Sequence, residues 1–350
     1  MITDHLKKDE AGRFPAINIF RGVAIFTMLA ANSAAESLSP PHSFLVRIYG
    51  SFAAPIFVFL AGFMVAAGSG KHNPLYFFRR GAEVIITGAL IDLFIWKIVP
   101  FTTFDVLYLT GFGIFIAGIT MRMNTTLRIL ICLLCFAAGP LLQHFFFYNE
   151  SVFEFSLADF SKTPMPGGIS WWFRSWLTDG WFPVFPWMGF VLAGTLTFTH
   201  GSVIVKQAKI FIPLGLLLFG GAITWLYFHR PIAEREGYSE LFYPPGVAYL
   251  CAATGVVLTG ICLLPYLKPR FGLQLLEYLG ACSLFIYILH SAVIMFFLDE
   301  YFTGLPLPKF ILMYAVFAAA MIFCAWLLHV LKKKIDWRKM PQLVKFVFGG

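Results

Sequence analysis

Polar residues recur at helical spacing in the first long apolar segment of the chain. Asn18, Arg21, Ile25, Met28 and Asn32 follow one another at intervals of 3, 4, 3 and 4 residues. These intervals place the five side chains on one face of a helix. A charged side chain at membrane depth usually faces a cavity or a partner, because exposure to lipid costs several kcal/mol. The face is predicted to line a cavity; an arginine that extends to the inner headgroups is the alternative for Arg21.

A second polar stripe lies near the other end of the sequence. Ser283, Tyr287 and His290 are spaced 4 and 3 residues apart, so they also share one helical face. At 1.5 Å per residue, His290 would lie roughly 22 Å from the inner end of its helix. The stripe is predicted to line the same cavity as the first face. A histidine that only packs through a hydrogen bond is the alternative.

His42 stands in the short connection that follows the first apolar segment. It comes directly after Pro40 and Pro41, at the start of the next apolar segment. A helix N-terminus disfavours positive charge, so the imidazole is biased towards the neutral form that acts as a base or nucleophile. We expect His42 to be catalytic, with Asn32 beside it at the outer mouth of the cavity. An exposed loop histidine is the alternative, and truncation in so short a loop is expected to cost little stability.

The other charged residues and the cysteines are not predicted to be catalytic. Glu83 is expected to form a structural ion pair with Arg79 or Arg80, whereas the sequence names no partner for Asp92. The six cysteines lie in apolar segments and do not form a disulfide framework. Cys132 and Cys135 make a CxxC without a second pair, so no metal site is predicted.

Composition restricts the class of protein that holds these residues. Hydrophobic residues make up 59% of the 350 and charged residues 13%, and the mean hydropathy is +0.78. Soluble domains carry roughly 25% charged residues, so this chain cannot cover a water-facing surface. The apolar runs are long and continuous rather than alternating, which indicates helices and excludes a membrane β-barrel. The predicted fold is all-α: a polytopic membrane helical bundle formed by one domain, 1–350.

Ten transmembrane helices of roughly 20 residues each are predicted. They are about 16–35, 44–67, 81–98, 104–121, 127–146, 183–199, 208–228, 245–265, 275–297 and 309–331. The one long connection, 148–181, carries Trp171, Trp172, Trp176 and Trp181. Such tryptophans are typical of an interfacial belt, and an aromatic platform for a sugar is the alternative.

Lysine and arginine set the predicted orientation. With the N-terminus inside, the inner segments hold 18 of the 26 basic residues, the outer segments hold seven, and Arg21 lies within a span. The positive-inside rule then places the N-terminal segment 1–15 and the basic tail 332–350 in the cytoplasm, and the 148–181 loop outside. The same charge distribution accounts for the net charge of +8, so no nucleic-acid partner is predicted, and the basic tail is expected to contact anionic membrane lipids. Asn18 and Arg21 argue against a cleaved signal peptide.

Several segments resemble, in order, those of the heparan-α-glucosaminide N-acetyltransferase-like membrane proteins, which belong with the wider transmembrane acyltransferases. The opening from Arg13, RFPAINIFRGVAIFTMLAANSA, is similar to that family's R-x-x-x-D-x-x-R-G-x-A segment, with Asn18 in place of the usual Asp. The other similar segments are FAAPIFVFLAGFM (52–64), FDVLYLTGFG (104–113), GWFPVFPWMGFVLAG (180–194), YPPGVAYL (243–250) and LEYLGACSLFIYILHSAV (276–293). They extend over about 280 residues.

The resemblance implies an acyltransferase that takes acetyl-CoA from the cytoplasm and has no metal. Asn32 and His42 match the family's catalytic Asn and His, and Arg21 matches the arginine expected on the CoA side. Arg79 and Arg80 could add positive charge for the CoA, and Ser283, Tyr287 and His290 match a late segment expected to line the cavity. The acceptor would be a hydroxyl or an amine of an extracytoplasmic sugar or envelope glycan. The protein would lie in the bacterial cytoplasmic (inner) membrane.

Two other functions remain compatible with the sequence. Ten spans with polar residues inside them also suit a transporter or permease for a small polar solute, although the two halves show no convincing repeat. A non-catalytic membrane partner is the third class. Only the acyltransferase predicts acetylation that depends on CoA. The sequence is also compatible with a homodimer.

Overall fold

The protein is helical along most of its described length. The structure is a computed structural model and describes residues 2–9, 13–146, 148, 152, 154–158, 168–229, 234–335 and 339–349. The α-helices are α1 (Pro15–Ser37), α2 (Phe44–Gly50), α3 (Ala53–Gly68), α4 (Pro74–Ile91), α5 (Val106–Thr120), α6 (Thr125–Phe146), α7 (Gly168–Arg174), α8 (Val184–Lys206), α9 (Ala208–Phe228), α10 (Val247–Leu263), α11 (Phe271–Ala281), α12 (Ser283–Val293), α13 (Asp299–Tyr301), α14 (Leu307–Lys334) and α15 (Gln342–Phe348). Single π-helical turns extend α4, α7 and α12, at Asp92–Trp96, Ser175–Asp179 and Ile294–Leu298. Short 3₁₀ turns are formed by Ile2–His5 and Leu264–Tyr266.

Eight helical segments of the described chain are long and apolar enough to cross a membrane. They are Pro15–Ser37, Phe44–Gly68, Thr125–Phe146, Val184–Lys206, Ala208–Phe228, Val247–Tyr266, Ser283–Tyr301 and Leu307–Lys334. This confirms an all-α, polytopic membrane fold. The two other predicted spans correspond to α4, which carries Arg79, Arg80 and Glu83, and to α5, which is apolar but only 15 residues long. The total of ten and the cytoplasmic termini stay predictions.

The predicted span 275–297 is not one continuous helix, which corrects the sequence-based boundary. Helix α11 ends at Ala281, Cys282 has non-helical angles (φ −125°, ψ 38°), and α12 begins at Ser283. At this break the carbonyl of Gly280 accepts a hydrogen bond from the side chain of Arg21. The break lies at a Gly-Ala-Cys sequence with no proline, so hydropathy alone gave no sign of it.

The structure divides into two compact units. The first comprises Phe57–Glu236 and Leu241–Thr259, with a short N-terminal segment up to Asp4. Inside it α4 and α5 approach closely: a Cβ added to Gly81 would lie 2.5 Å from the carbonyl oxygen of Gly111. Small residues at such crossings let helix backbones touch inside a membrane, where no hydrophobic effect draws helices together.

The second unit comprises His5–Ile56, Gly237–Glu240 and Gly260–Gly350. Its central contact joins α1 and α11. A Cβ added to Gly22 would lie 1.9 Å from the carbonyl oxygen of Leu276, and one added to Gly280 would lie 1.9 Å from that of Asn18. Only glycine permits this approach, so α1 is fixed against α11 over about one turn of each helix, and the polar face of α1 is held in place with it.

Replacement of Gly280 by alanine is expected to destabilise the protein by about 1–3 kcal/mol, the usual cost of adding atoms to a filled contact. The matched control is Gly272→Ala on the same helix, where a Cβ meets nothing within 4 Å. That control should be neutral or slightly stabilising, because alanine favours a helix over glycine by about 1 kcal/mol. Thermal unfolding in detergent micelles measures both variants. Equal unfolding temperatures would contradict the proposed close contact.

Candidate active site

Asn32 and His290 bring the two predicted polar stripes together in the second unit. The side-chain amide of Asn32, on α1, donates a hydrogen bond to Nε2 of His290, on α12, at 3.0 Å. On the other side of the ring, Nδ1–H donates to the carbonyl oxygen of Ile286 at 3.1 Å. His290 is completely buried, and the ring of Tyr287 packs edge-on against it at 5.1 Å. Both nitrogens of His290 are therefore engaged, and the ring is a neutral Nδ1–H tautomer.

Arg21 marks the other end of the same helical face. Its guanidinium Nη1 donates a hydrogen bond to the carbonyl oxygen of Gly280 at 3.3 Å, and the residue is half-buried. This carbonyl belongs to the C-terminal turn of α11, where backbone acceptors lack helical partners and the helix dipole favours a cation. Arg21 therefore has a structural contact in addition to the CoA contact predicted from the sequence, which stays a prediction.

His42 is buried rather than exposed, with 7% of its surface accessible. Its Nε2–H donates to the carbonyl oxygen of Leu38 at 3.1 Å, and its Nδ1 lies 2.8 Å from Oγ of Ser239. The expectation that truncation here costs little stability is wrong, because a buried ring with two hydrogen bonds would be lost.

The segment Gly237–Glu240 forms the wall against which His42 packs. Arg47, on α2, donates from Nε to the carbonyl oxygen of Ser239 at 2.7 Å. Gly237 has a left-handed backbone (φ 84°), and a Cβ there would lie 2.6 Å from the carbonyl oxygen of Ala35 at the end of α1. Sequence reasoning missed Ser239, which is 197 residues from His42 in a segment without helical periodicity.

The remaining predicted site residues have different surroundings. Met28 is buried, and Asn18 and Ser283 are half-buried. Asn32 donates a hydrogen bond to His290, and His42 bonds to Ser239. The joint catalytic role of Asn32 and His42 stays a prediction.

The charged residues of the first unit have identifiable partners. Arg80 forms an ion pair with Glu83 at 3.3 Å, which confirms the expected pairing, while Arg79 is exposed. The hydroxyl of Tyr108, on α5, donates to a carboxylate oxygen of Asp92. The partner that the sequence could not name is therefore a phenol from the neighbouring helix.

Part of the predicted 148–181 loop, including residues 159–167, lies outside the described residues. In its described part Trp181 donates from Nε1 to Glu154 at 2.6 Å. Arg235 is 1% exposed, lies over the rings of Tyr148, Trp181 and Tyr243, and donates to the carbonyl oxygens of Asp179 and Gly180. These contacts are those of a packed aromatic cluster, in addition to any role at the lipid interface.

The cysteines of the CxxC sequence lie inside α6. Cys132 and Cys135 are buried free thiols, and Cys132 donates to the carbonyl oxygen of Gly189 at 3.3 Å. Within the described ranges, no three His, Cys, Asp or Glu side chains form a group that could hold a metal ion.

Glu240 adds a buried carboxyl beside Ser239. It is 5% exposed, and its Oε2 has no hydrogen-bond partner among the described residues. Burial raises the pKa of this carboxyl to about 7, against the smaller opposing effects of its own backbone N–H and of Arg47. An ionised carboxylate in this position is therefore disfavoured, and the protonated form is stabilised in the folded protein.

The stability of the protein should fall as the pH rises from about 4.5 to about 7. The pKa of Glu240 is higher in the folded state than in the unfolded state, so its contribution is complete below about pH 4.5 and is lost through about pH 7. A shift of this size corresponds to about 3 kcal/mol. Thermal unfolding of wild-type protein and Glu240→Gln between pH 4.5 and 8 measures it. Glutamine mimics the protonated carboxyl at every pH, so the two stabilities should be similar near pH 4.5, and the variant should become the more stable of the two towards pH 8. A constant difference would refute the assignment.

One family model matches more than half of the chain. It is described as heparan-alpha-glucosaminide N-acetyltransferase, catalytic, and it matches residues 13–211. The match includes Arg21, Asn32, His42, Arg79 and Arg80, and it ends before the polar stripe of α12. No curated protein matches the chain.

Proposed function

Because the chain belongs to the heparan-alpha-glucosaminide N-acetyltransferase family of membrane acetyltransferases, we propose that it transfers an acetyl group from cytoplasmic acetyl-CoA to an acceptor outside the cytoplasm. The acceptor carries a hydroxyl or an amine and is a sugar or an envelope glycan. The observation that carries the proposal is the family match over residues 13–211, which contains the catalytic and CoA-binding candidates.

His42 is the proposed general base. In the neutral state its Nε2–H is committed to the carbonyl of Leu38, so its basic lone pair is on Nδ1 and faces the hydroxyl of Ser239. A neutral imidazole of fixed tautomer suits the removal of a proton from an acceptor at neutral pH. A direct attack by the acceptor needs only this base, whereas an acetyl-histidine intermediate would need Nδ1 itself to attack the thioester.

Asn32 is the proposed oxyanion donor. One of its two amide hydrogens is bound to His290, which fixes the orientation of the side chain, and the other is available for the oxygen of a tetrahedral intermediate. A donor that is already oriented needs no reorganisation during the reaction. Tyr287 and His290 act through Asn32 and are positioning residues.

CoA is large and multiply anionic, so it cannot cross lipid and must be held by positive charge on the cytoplasmic side. Arg21, Arg79 and Arg80 are the proposed cations, with the Ile25 and Met28 part of α1 beside the pantetheine arm. This role requires the predicted orientation, with both termini in the cytoplasm. The proposed location is the inner membrane of a bacterium. Membrane lipids are then the surrounding partner, and a homodimer is a proposal that gel filtration can test.

The direct experiment incubates purified full-length protein with radiolabelled acetyl-CoA and either D-glucosamine or D-glucose, and follows release of the CoA thiol. Release that depends on the added sugar, with label recovered on it, supports the proposal. Glucose offers only hydroxyls, so label on glucosamine but not on glucose indicates transfer to the amine. The absence of thiol release with these sugars and with extracted envelope glycans would overturn it.

A further inference from the structure

The tautomer of His42 determines which way the hydrogen bond to Ser239 runs. The carbonyl oxygen of Leu38 can only accept, so Nε2 of His42 carries the ring proton. The neutral ring then has its lone pair on Nδ1, and Oγ–H of Ser239 must be the donor across the 2.8 Å contact. The hydroxyl of Ser239 is therefore the donor in this hydrogen bond, and its oxygen lone pairs can accept a hydrogen bond from another group.

The backbone of Ser239 is held independently of its side chain. The side chain of Arg47 donates to the carbonyl oxygen of Ser239, which ties the backbone of Ser239 to α2. The backbone carbonyl of Arg47 in turn accepts from the hydroxyl of Ser51 at 2.5 Å. Two residues earlier, Gly237 fits against the end of α1 in a conformation that other residues rarely adopt. These contacts fix the backbone from which the hydroxyl of Ser239 reaches Nδ1 of His42.

We propose that Ser239 and Glu240 form the acceptor subsite and that Ser239 passes the acceptor's proton to His42. The inference rests on the proposed acetyltransferase function. The acceptor hydroxyl donates to Oγ of Ser239 while Oγ–H of Ser239 donates to Nδ1 of His42. This is the serine–histidine arrangement with a third oriented partner, here used for proton relay and not for covalent catalysis.

The proton and bond balance of the step is complete without another reactant. As the acceptor oxygen forms a bond to the acetyl carbon, its proton moves to Oγ of Ser239, and the serine proton moves to Nδ1 of His42. The bond between the acetyl carbon and the CoA sulfur then breaks. The imidazolium proton returns through Ser239 or solvent to the thiolate, which leaves as CoA.

Glu240 indicates the class of acceptor. Its Oε2 is buried and has no hydrogen-bond partner among the described residues, one position along the chain from Ser239. Buried carboxyl oxygens are almost always satisfied, so a hydroxyl of a bound molecule is a fitting partner. A hydroxyl can accept from the protonated carboxyl or donate to the ionised one. A hydroxyl or amine at Ser239 and a hydroxyl at Glu240 indicate an acceptor with at least two polar groups, such as a sugar or another polyol.

Kinetics of purified full-length variants test both residues with D-glucose and D-glucosamine as probes. Ser239→Ala should lower kcat about 10²-fold with an unchanged KM for acetyl-CoA, while Ser239→Thr, which keeps the hydroxyl, should restore most of the rate. Glu240→Leu should raise the KM for the sugar about tenfold and leave that for acetyl-CoA unchanged. Ser33→Ala is the matched control, because this buried hydroxyl donates to Leu29 in its own helix.

Nitrogen NMR of histidine-labelled protein separates failure of this inference from failure of the function. The signals of His42 are identified by their loss in His42→Gln. Wild-type protein should give the Nε2–H tautomer. Ser239→Ala should keep this tautomer, which the carbonyl of Leu38 fixes, but should shift the Nδ1 resonance because that nitrogen loses its donor. A His42 spectrum that does not change in Ser239→Ala, or an acetyl group recovered on Ser239 by mass spectrometry, would overturn the relay. Inactive wild-type protein with the expected spectra would instead overturn the acetyltransferase.

Discussion

Replacement of His42 by alanine is expected to reduce acetyl transfer by about 10²–10⁴-fold, the usual contribution of general acid–base catalysis. Both ring nitrogens of His42 are bound inside the protein, so this variant should also lose stability. His42→Gln separates the two effects, because its side-chain amide can still donate to the carbonyl of Leu38 but cannot act as a base. It should be folded, with an unfolding temperature nearer that of wild type, and as inactive as His42→Ala.

The control for this experiment is His72→Ala, which alters an exposed histidine that stacks on Tyr76. It should retain normal transfer. Near-normal activity of His42→Gln, together with a folded and inactive His290→Gln, would mean that the base is His290. His290 is the rival because it is completely buried, touches Asn32 and lies on the late polar stripe.

Asn32→Ala is the second large effect, with an expected loss of about 10²–10³-fold in kcat, the usual cost of an oxyanion donor. The loss should appear in kcat rather than in the KM for acetyl-CoA, because the hydrogen bond strengthens only in the transition state. Since His290 accepts from Asn32 at 3.0 Å, the two side chains should behave as one unit.

A double-mutant cycle tests that coupling. Asn32→Ala and His290→Ala combined should cost little more than Asn32→Ala alone, because the only catalytic effect assigned to His290 is to orient Asn32. Additive losses would show that His290 acts separately. Thr27→Ala on the same helix is the control, since its hydroxyl donates to carbonyls of its own helix and has no assigned role.

The sequence predicted those parts of the site that depend on helical spacing. The face of α1 and the stripe of α12 follow from intervals of 3 and 4 residues, and a face is a local property. Spacing does not tell which residue of one face meets which residue of another. Hence Asn32 was paired with His42 from its position at the end of the helix, whereas its hydrogen bond goes to His290.

Two further features could not be read from the sequence, for different physical reasons. Ser239 reaches His42 only because the chain returns to α1 after 197 residues, and a single serine in a loop carries no periodic signal. The break at Cys282 carries no proline signal, and the hydrogen bond from Arg21 to the carbonyl of Gly280 beside it joins residues far apart in sequence. By contrast, Arg80 and Glu83 are three residues apart on one helix, so their ion pair is local and was predicted correctly.

The most direct measurement of the account uses sealed inside-out membrane vesicles that contain the full-length protein and D-glucosamine trapped in their lumen. Radiolabelled acetyl-CoA is added outside, on the cytoplasmic face. The predicted result is acetylated glucosamine inside intact vesicles made with wild-type protein, and none in vesicles made with His42→Gln. Label that reaches glucosamine only when donor and acceptor are on the same side, or equal transfer by the two proteins, would contradict transmembrane acetyl transfer through His42.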